Sequence, residues 1–146
     1  MLEVINESVV EINPLPLVRI AEQICAEEIP GLDTELTLMI CEGGRMRKLN
    51  KTYRGKDEET DVLSFLTDPI PSEQAGKGLD CLRGDIVVDI NQADKQKGFY
   101  SLETELQNLL IHGLLHLLGY DHIKPQDKEN MEHKETYFRD KLIGAS

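Results

Sequence analysis

The stretch SLETELQNLLIHGLLHLLG, residues 101–119, decides how this chain folds. Within it, residues 109–118 are all leucine or isoleucine except His112, Gly113 and His116. A helix that is apolar nearly all round is buried, whereas a surface helix keeps one polar face. We therefore predict a buried helix at the centre of the domain.

Both ends of this helix carry recognisable signals. Ser101 is a suitable N-cap, and Glu103 and Glu105 place negative charge in the first turn, where the helix dipole favours it. Gly119 can adopt the left-handed conformation that commonly ends a helix. The helix is therefore predicted to lie between Ser101 and Gly119.

Strands and further helices are predicted around it. Branched apolar residues indicate strands at 2–12, 35–43, 61–66 and 83–90. Helical spacing of apolar residues indicates helices at 17–25, from Gly43 onward, near Ala93 and at 125–142, the last burying Met131, Phe138 and Leu142. This mixture predicts one layered domain of the α/β or α+β class over residues 1–146.

The composition is that of an ordinary globular protein. The 146 residues are 40% hydrophobic and 29% charged, which suits one domain with an adequate core. No apolar run approaches the roughly 20 residues of a membrane span, and the N-terminal MLEVINESVVEI lacks the basic start of a secretory signal. Cys25, Cys41 and Cys81 show no paired spacing, which favours free thiols. We predict a cytoplasmic protein without a membrane partner.

The charge of the chain is acidic but unevenly distributed. A formal net charge of -11 disfavours nucleic acids and anionic membranes as partners of the surface as a whole. Residues 45–56, RMRKLNKTYRGK, nevertheless hold six of the sixteen basic residues and no acid. Arg47, Lys51 and Arg54 share one face of the helix predicted there. This basic face predicts a local contact with phosphate groups.

Three histidines stand at the spacing of a metal site in HGLLHLLGYDH, residues 112–122. His112 and His116 are four residues apart, so one helix face presents both to a single ion. Gly119 lets the chain turn back, and His122 can then supply a third nitrogen. Three protein ligands plus an open position are typical of catalytic zinc. We predict one Zn²⁺ ion, although imidazole ligands also suit other divalent transition metals.

Gly113 separates this motif from that of the zinc proteases, which place a glutamate directly after the first histidine. Peptide hydrolysis needs such a carboxylate to move a proton from water to the leaving amine. Phosphodiester cleavage needs less from a protein base, because a metal can activate water or assist a ribose 2′-hydroxyl while cations stabilise the developing charge. The glycine and the basic face both favour a phosphodiester substrate.

These residues resemble the YbeY family of bacterial metal-dependent endoribonucleases. The resemblance rests on HGLLHLLGYDH together with LNKTYRGKDEETDVLSF, residues 49–65, and GDIVVDI, residues 84–90. It implies a single α/β domain with a small mixed four-stranded sheet and helices around a central metal-binding one. It also implies that the protein cleaves single-stranded RNA and acts in maturation of the 16S rRNA 3′ end and in ribosome quality control. The implied partners are the 16S rRNA precursor and the ribosome, and DNA is not an expected substrate.

The resemblance also assigns roles to individual residues. It implies that His112, His116 and His122 are the metal ligands, and that Arg54 in the YRG segment is functionally important. We predict Arg54 and the ligand His112 as catalytic residues, with Arg54 binding the scissile phosphate through its bidentate guanidinium. Arg47 and Lys51 are predicted to make general electrostatic contacts with RNA.

Two other functions fit the same residues. One is a zinc hydrolase of another class, a peptidase or amidohydrolase, whose base would come from Glu105, Asp61 or Asp121. The other is a non-catalytic ribosome-associated protein whose zinc is structural, so that removing the metal would unfold it. Asp121 either hydrogen-bonds a metal-binding imidazole and orients it or caps the turn. His133 is either a surface residue or contacts the metal-binding histidines without binding the metal itself.

Overall fold

The structure is a computed structural model that describes residues 1–54, 61–67, 81–121 and 123–144, with the backbone alone at 53 and 54. Strands and helices alternate early in the chain, and helices dominate its second half. No helix in these described ranges is long and apolar enough to cross a bilayer.

Four strands form one mixed sheet, as predicted. They are β1 (Leu2–Asn6), β2 (Asp33–Cys41), β3 (Val62–Leu66) and β4 (Cys81–Asp89). Their order in the sheet is β1-β2-β4-β3. The first two pairs are parallel, whereas β3 runs antiparallel to β4 and forms an edge. A helix that packs at the β3 edge of the sheet therefore contacts both β3 and β4.

Five helices surround the sheet in the described part of the chain. They are α1 (Leu15–Glu28), α2 (Gly43–Arg54), α3 (Ile90–Gln96), α4 (Leu102–Leu117) and α5 (Pro125–Phe138), the last continued by a π-helical turn at Arg139–Ile143. Helix α4 packs against β3, β4, α1, α3 and α5. It is the central buried helix that the sequence predicts.

The burial of α4 follows from its apolar surface. Leu110, Ile111, Leu114 and Leu115 have no measurable solvent exposure. Burying four such side chains stabilises the fold by about 6–12 kcal/mol before the entropy of ordering the chain is subtracted. We therefore expect the apolar contacts of α4 to hold this helix in place even without a bound ion.

The first strand is shorter than predicted. It ends at Asn6 rather than at residue 12. The Asn6 side chain accepts a hydrogen bond from the Ser8 backbone at 2.9 Å and donates one to the Val10 carbonyl at 2.7 Å. An asparagine that bonds its own following backbone forms a turn, so the prediction of strand at 7–12 was wrong despite Val9 and Val10.

The cysteines yield a prediction about thiol reactivity. Cys25 and Cys41 are buried, Cys81 is half-buried, and all three are free. Burial, with the Asp89 carboxylate next in importance, raises the pKa of the Cys41 thiol to about 11, and burial also raises the pKa of Cys25. Because the thiolate is the reactive form, we expect Cys81 alone to react rapidly with a disulfide reagent at pH 8 in the folded protein. Rapid reaction of Cys25 or Cys41 before unfolding, seen by mass spectrometry, would contradict this.

Candidate metal centre

His112 and His116 converge at the C-terminal half of α4. Their Nε2 atoms lie 3.1 Å apart. The ring centroids are separated by 4.6 Å and the ring planes are inclined by 81°. Both side chains are partly exposed to solvent, as a site open to ligands requires.

The other ring nitrogen of each histidine is engaged by an acceptor. His116 Nδ1 lies 3.0 Å from the Tyr120 carbonyl oxygen, and His112 Nδ1 lies 3.0 Å from Glu135 Oε1. A carbonyl or carboxylate oxygen accepts a hydrogen bond, so each Nδ1 carries the proton and each neutral ring has its lone pair on Nε2. Two lone pairs at this separation repel each other unless a proton or a cation lies between them. The arrangement therefore fits a cation site.

Glu135, on α5, links His112 to Arg139, the first residue of the π-helical turn that follows α5. Its second oxygen accepts a hydrogen bond from Arg139 Nη2 at 3.0 Å, and only 14% of its side chain is exposed. Burial by itself raises the pKa of the Glu135 carboxyl, but the hydrogen bond from His112 and the nearby positive charge of Arg139 outweigh it and hold that pKa below its ordinary value. Glu135 is thus an ionised acceptor for the imidazole.

Tyr120 anchors the second histidine. Its hydroxyl donates to Glu28 Oε1 at 2.5 Å, and Lys134 Nζ donates to the other oxygen of Glu28 at 2.9 Å. Burial and the neighbouring Glu28 raise the pKa of the Tyr120 phenol. The Tyr120 carbonyl that orients the His116 ring is therefore itself held in place. Tyr120 is hydrogen-bonded to Glu28 on α1, and Glu28 is bonded in turn to Lys134 on α5.

The donors fit zinc. A tetrahedral Zn²⁺ ion with Zn–N bonds of about 2.1 Å holds two nitrogens roughly 3.4 Å apart, close to the observed 3.1 Å. Zinc-binding histidines usually donate their second N–H to a carboxylate or a backbone carbonyl, as both do in this site. The predicted third ligand, His122, lies outside the described residues. Within those residues, no group of three His, Cys, Asp or Glu side chains is placed to hold an ion.

Gly113 faces the sheet, where α4 crosses β3 and β4. A Cβ atom at this position would lie 2.8 Å from Ile86 Cγ2 and 2.9 Å from Ser64 Oγ, closer than real contacts allow. Ser64 Oγ also donates to the Gly113 carbonyl at 3.1 Å. A glutamate at this position would therefore clash with the sheet, so the protease base has no room here.

The candidate bases considered for a peptidase have other partners. Asp121 Oδ1 accepts a hydrogen bond from the Ile123 backbone at 3.1 Å, which is the turn-capping geometry. Gln96 Nε2 donates to Asp61 at 3.0 Å and to Glu105 at 3.3 Å. Glu105 precedes His112 by seven residues, or about 10 Å along the helix axis. These three carboxylates are thus engaged in structural contacts.

The remaining predicted residues divide between surface and undescribed positions. His133 is a surface residue, with its side chain 78% exposed and Nε2 3.8 Å from Glu129. Arg47 and Lys51 are exposed on α2. The side chain of Arg54 is outside the described part, so its predicted role at the phosphate remains a prediction.

Sequence reasoning missed Glu135 and Tyr120. A signal for Glu135 was present, because it follows the inward-facing Met131 by four residues and precedes Phe138 by three. An acid on the buried face of a helix implies a partner. Tyr120 contributes a backbone carbonyl, and a sequence pattern of side chains does not predict which backbone carbonyl will accept a hydrogen bond from a histidine.

We expect Glu135→Gln to weaken zinc binding by about 10- to 100-fold while leaving the fold intact. The amide cannot offer the His112 N–H a charged acceptor, so the imidazole becomes a poorer and less well oriented ligand. Titration against a chromophoric chelator measures the affinity, with Glu132→Gln on the exposed face of α5 as the matched control. Equal affinity in both variants would show that Glu135 does not support the site.

The protein is thus a small α/β domain with a candidate metal centre. Its buried helix packs against a mixed sheet and carries two histidines, each of which is hydrogen-bonded to an acceptor. The chain belongs to the endoribonuclease YbeY family, whose family model matches residues 5–143. This membership supports an endoribonuclease role, which implies RNA as the substrate.

Named relatives agree with the family assignment. Endoribonuclease YbeY of Pelotomaculum thermopropionicum is 37% identical over 124 residues, covering 82% of this chain and 79% of the relative. The protein of the same name from Moorella thermoacetica is 40% identical, covering 80% and 78%. The solution structure of a Thermotoga maritima protein superposes with a TM-score of 0.60 at 25% identity, covering 99% of this chain and 90% of that one.

Proposed function

We propose that this protein is a metal-dependent endoribonuclease that cleaves single-stranded RNA. We further propose that it acts in the cytoplasm on the 16S rRNA precursor, in 3′-end maturation and ribosome quality control, with the ribosome as its partner. The observation that carries the metal dependence is the convergence of His112 and His116 Nε2 at 3.1 Å with both Nδ1 atoms engaged. Family membership supports the RNA substrate, and three free cysteines support a reducing compartment.

The proposed roles follow from the chemistry of each side chain. His112, His116 and His122 would hold one Zn²⁺ ion, with Glu135 and the Tyr120 carbonyl orienting the first two rings. When bound, zinc supplies Lewis-acid activation next to the scissile phosphate. Arg54 would bind that phosphate and stabilise the negative charge that develops on it.

The alternatives are less well supported. A peptidase needs a proton-transferring carboxylate at the metal, and the Ile86 and Ser64 contacts exclude one at Gly113. A purely structural zinc should be required for folding, whereas the apolar burial of α4 supports a helix that forms without it. Basic residues Arg47 and Lys51 are exposed on α2, where they could contact RNA.

The test is RNA cleavage by zinc-loaded protein on matched single-stranded and duplex oligonucleotides. We expect cleavage of the single strand alone, lost on chelation and restored by zinc. A His116→Ala preparation purified in parallel reports any contaminating nuclease. Absence of cleavage by a fully zinc-loaded wild-type protein would contradict the proposed function.

Arg54→Ala should lower kcat by about 100- to 1000-fold, the usual effect of removing a group that stabilises transition-state charge. Zinc content and circular dichroism should be unchanged. Lys48→Ala, which removes an exposed cation from the same helix, should stay within about twofold of wild type because single surface charges contribute little. Full activity in folded, zinc-loaded Arg54→Ala would remove the proposed role.

A further inference from the structure

A pocket of about 230 Å³ opens beside α4, away from the sheet. Helix α4 contributes Thr104 and Asn108 to its wall, and Tyr100 precedes that helix. Thr136 and the π-helical turn after α5 supply the other side, with Arg139, Asp140, Ile143 and Gly144. The pocket thus lies between two elements that also carry the candidate metal centre.

The pocket begins about one turn of α4 before the histidine pair. Asn108 precedes His112 by four residues, which places it on the same helix face about 6 Å away along the axis. Arg139 lines the pocket and also donates to Glu135, the acceptor for His112. A chain whose phosphate lay at the histidines could therefore place its neighbouring nucleotide in this pocket.

The chemistry of the pocket suits a neutral, flat, hydrogen-bonding group. Arg139 is paired with Glu135, and Asp140 adds a negative charge, so the lining has no excess positive charge to attract a phosphate. Thr104, Asn108 and Thr136 offer uncharged donors and acceptors. Tyr100, 51% exposed, offers an aromatic ring, and aromatic rings and guanidinium planes are the surfaces on which unpaired bases stack.

We propose that this pocket binds one unpaired base of the RNA, next to the scissile phosphate. The inference rests on the proposed function and extends it to the substrate. In a duplex, both faces of a base are stacked and its pairing edge is occupied, so such a base cannot enter the pocket. The pocket thereby contributes to selection of single-stranded RNA.

The test uses a series of short single-stranded RNAs that the zinc-loaded protein cleaves. Each RNA carries one abasic nucleotide at a different position. One position adjacent to the cleaved bond should raise KM about tenfold, as expected for loss of one stacked base. Tyr100→Ala should raise KM for intact RNA to a similar extent and make the enzyme insensitive to the abasic position, because both changes remove the same interaction. Tyr100→Phe keeps the ring and should restore both properties.

Two further variants separate the pocket from the rest of α4. Asn108→Ala should raise KM for intact RNA, whereas Gln107→Ala, whose side chain lines a different pocket with α1, should not. Abasic effects that persist unchanged in Tyr100→Ala and Asn108→Ala, with RNA still cleaved, would overturn the base pocket and leave the proposed function standing. No cleavage by zinc-loaded wild type would overturn both.

Discussion

Replacing His116 with alanine is expected to abolish RNA cleavage and to weaken zinc binding by more than about 100-fold. Loss of a group that only supports a ligand already costs about 10- to 100-fold, and His116→Ala removes a ligand itself. The fold should survive, because α4 is held by buried leucine and isoleucine and His116 is only partly buried. Zinc competition titration, circular dichroism and the cleavage assay measure the three properties on one preparation.

His133 provides the matched control for this experiment. Its side chain is 78% exposed on α5, so His133→Ala should leave both zinc affinity and cleavage unchanged. Retention of zinc and activity by His116→Ala would show that zinc binds, and RNA is cleaved, at a site that does not include His116. Unfolding of His116→Ala, or of wild type on zinc removal, would instead favour a structural metal.

Gly113→Ala is expected to lower the free energy of unfolding by about 1–3 kcal/mol, as overpacking of a tight interior usually does. The new methyl group would lie 2.8 Å from Ile86 Cγ2 and 2.9 Å from Ser64 Oγ. Alanine is a better helix former than glycine by about 1 kcal/mol, so a net loss reports the clash. Gly113→Glu should be worse, because it adds a longer side chain and a buried charge.

Gly44→Ala is the control for backbone effects. Gly44 also lies in a helix, but a Cβ there has nothing within 4 Å, so the substitution should be neutral or stabilising by up to about 1 kcal/mol. Urea unfolding followed by circular dichroism gives both values. A Gly113→Glu variant that is as stable as wild type and hydrolyses peptides would refute the steric exclusion of the protease base.

The sequence was sufficient to predict α4 because the decisive information is local. Ten consecutive positions that are apolar apart from two histidines and a glycine are longer than most strands and therefore favour a buried helix. Its ends were also predictable, since Ser101 accepts a hydrogen bond from Thr104 N at 3.1 Å and Gly119 has φ +102°. The strand order β1-β2-β4-β3 could not be derived from periodicity, because pairing joins segments far apart in the chain.

The candidate site divides in the same way. His112 and His116 were predictable as a pair because four-residue spacing fixes their relation on a helix. The contact of His112 with Glu135 joins α4 to α5, and only their packing determines it. The steric role of Gly113 also depends on how closely α4 approaches β4, which the missing glutamate alone does not reveal.

The most direct test of the metal centre is anomalous diffraction at the zinc edge from crystals of the zinc-loaded protein. We predict one zinc peak bonded to the Nε2 atoms of His112 and His116 and to a nitrogen of His122, with solvent completing the coordination. Imidazole rings turned away from the peak, or a fourth protein ligand that encloses the ion, would contradict a catalytic metal centre in this protein.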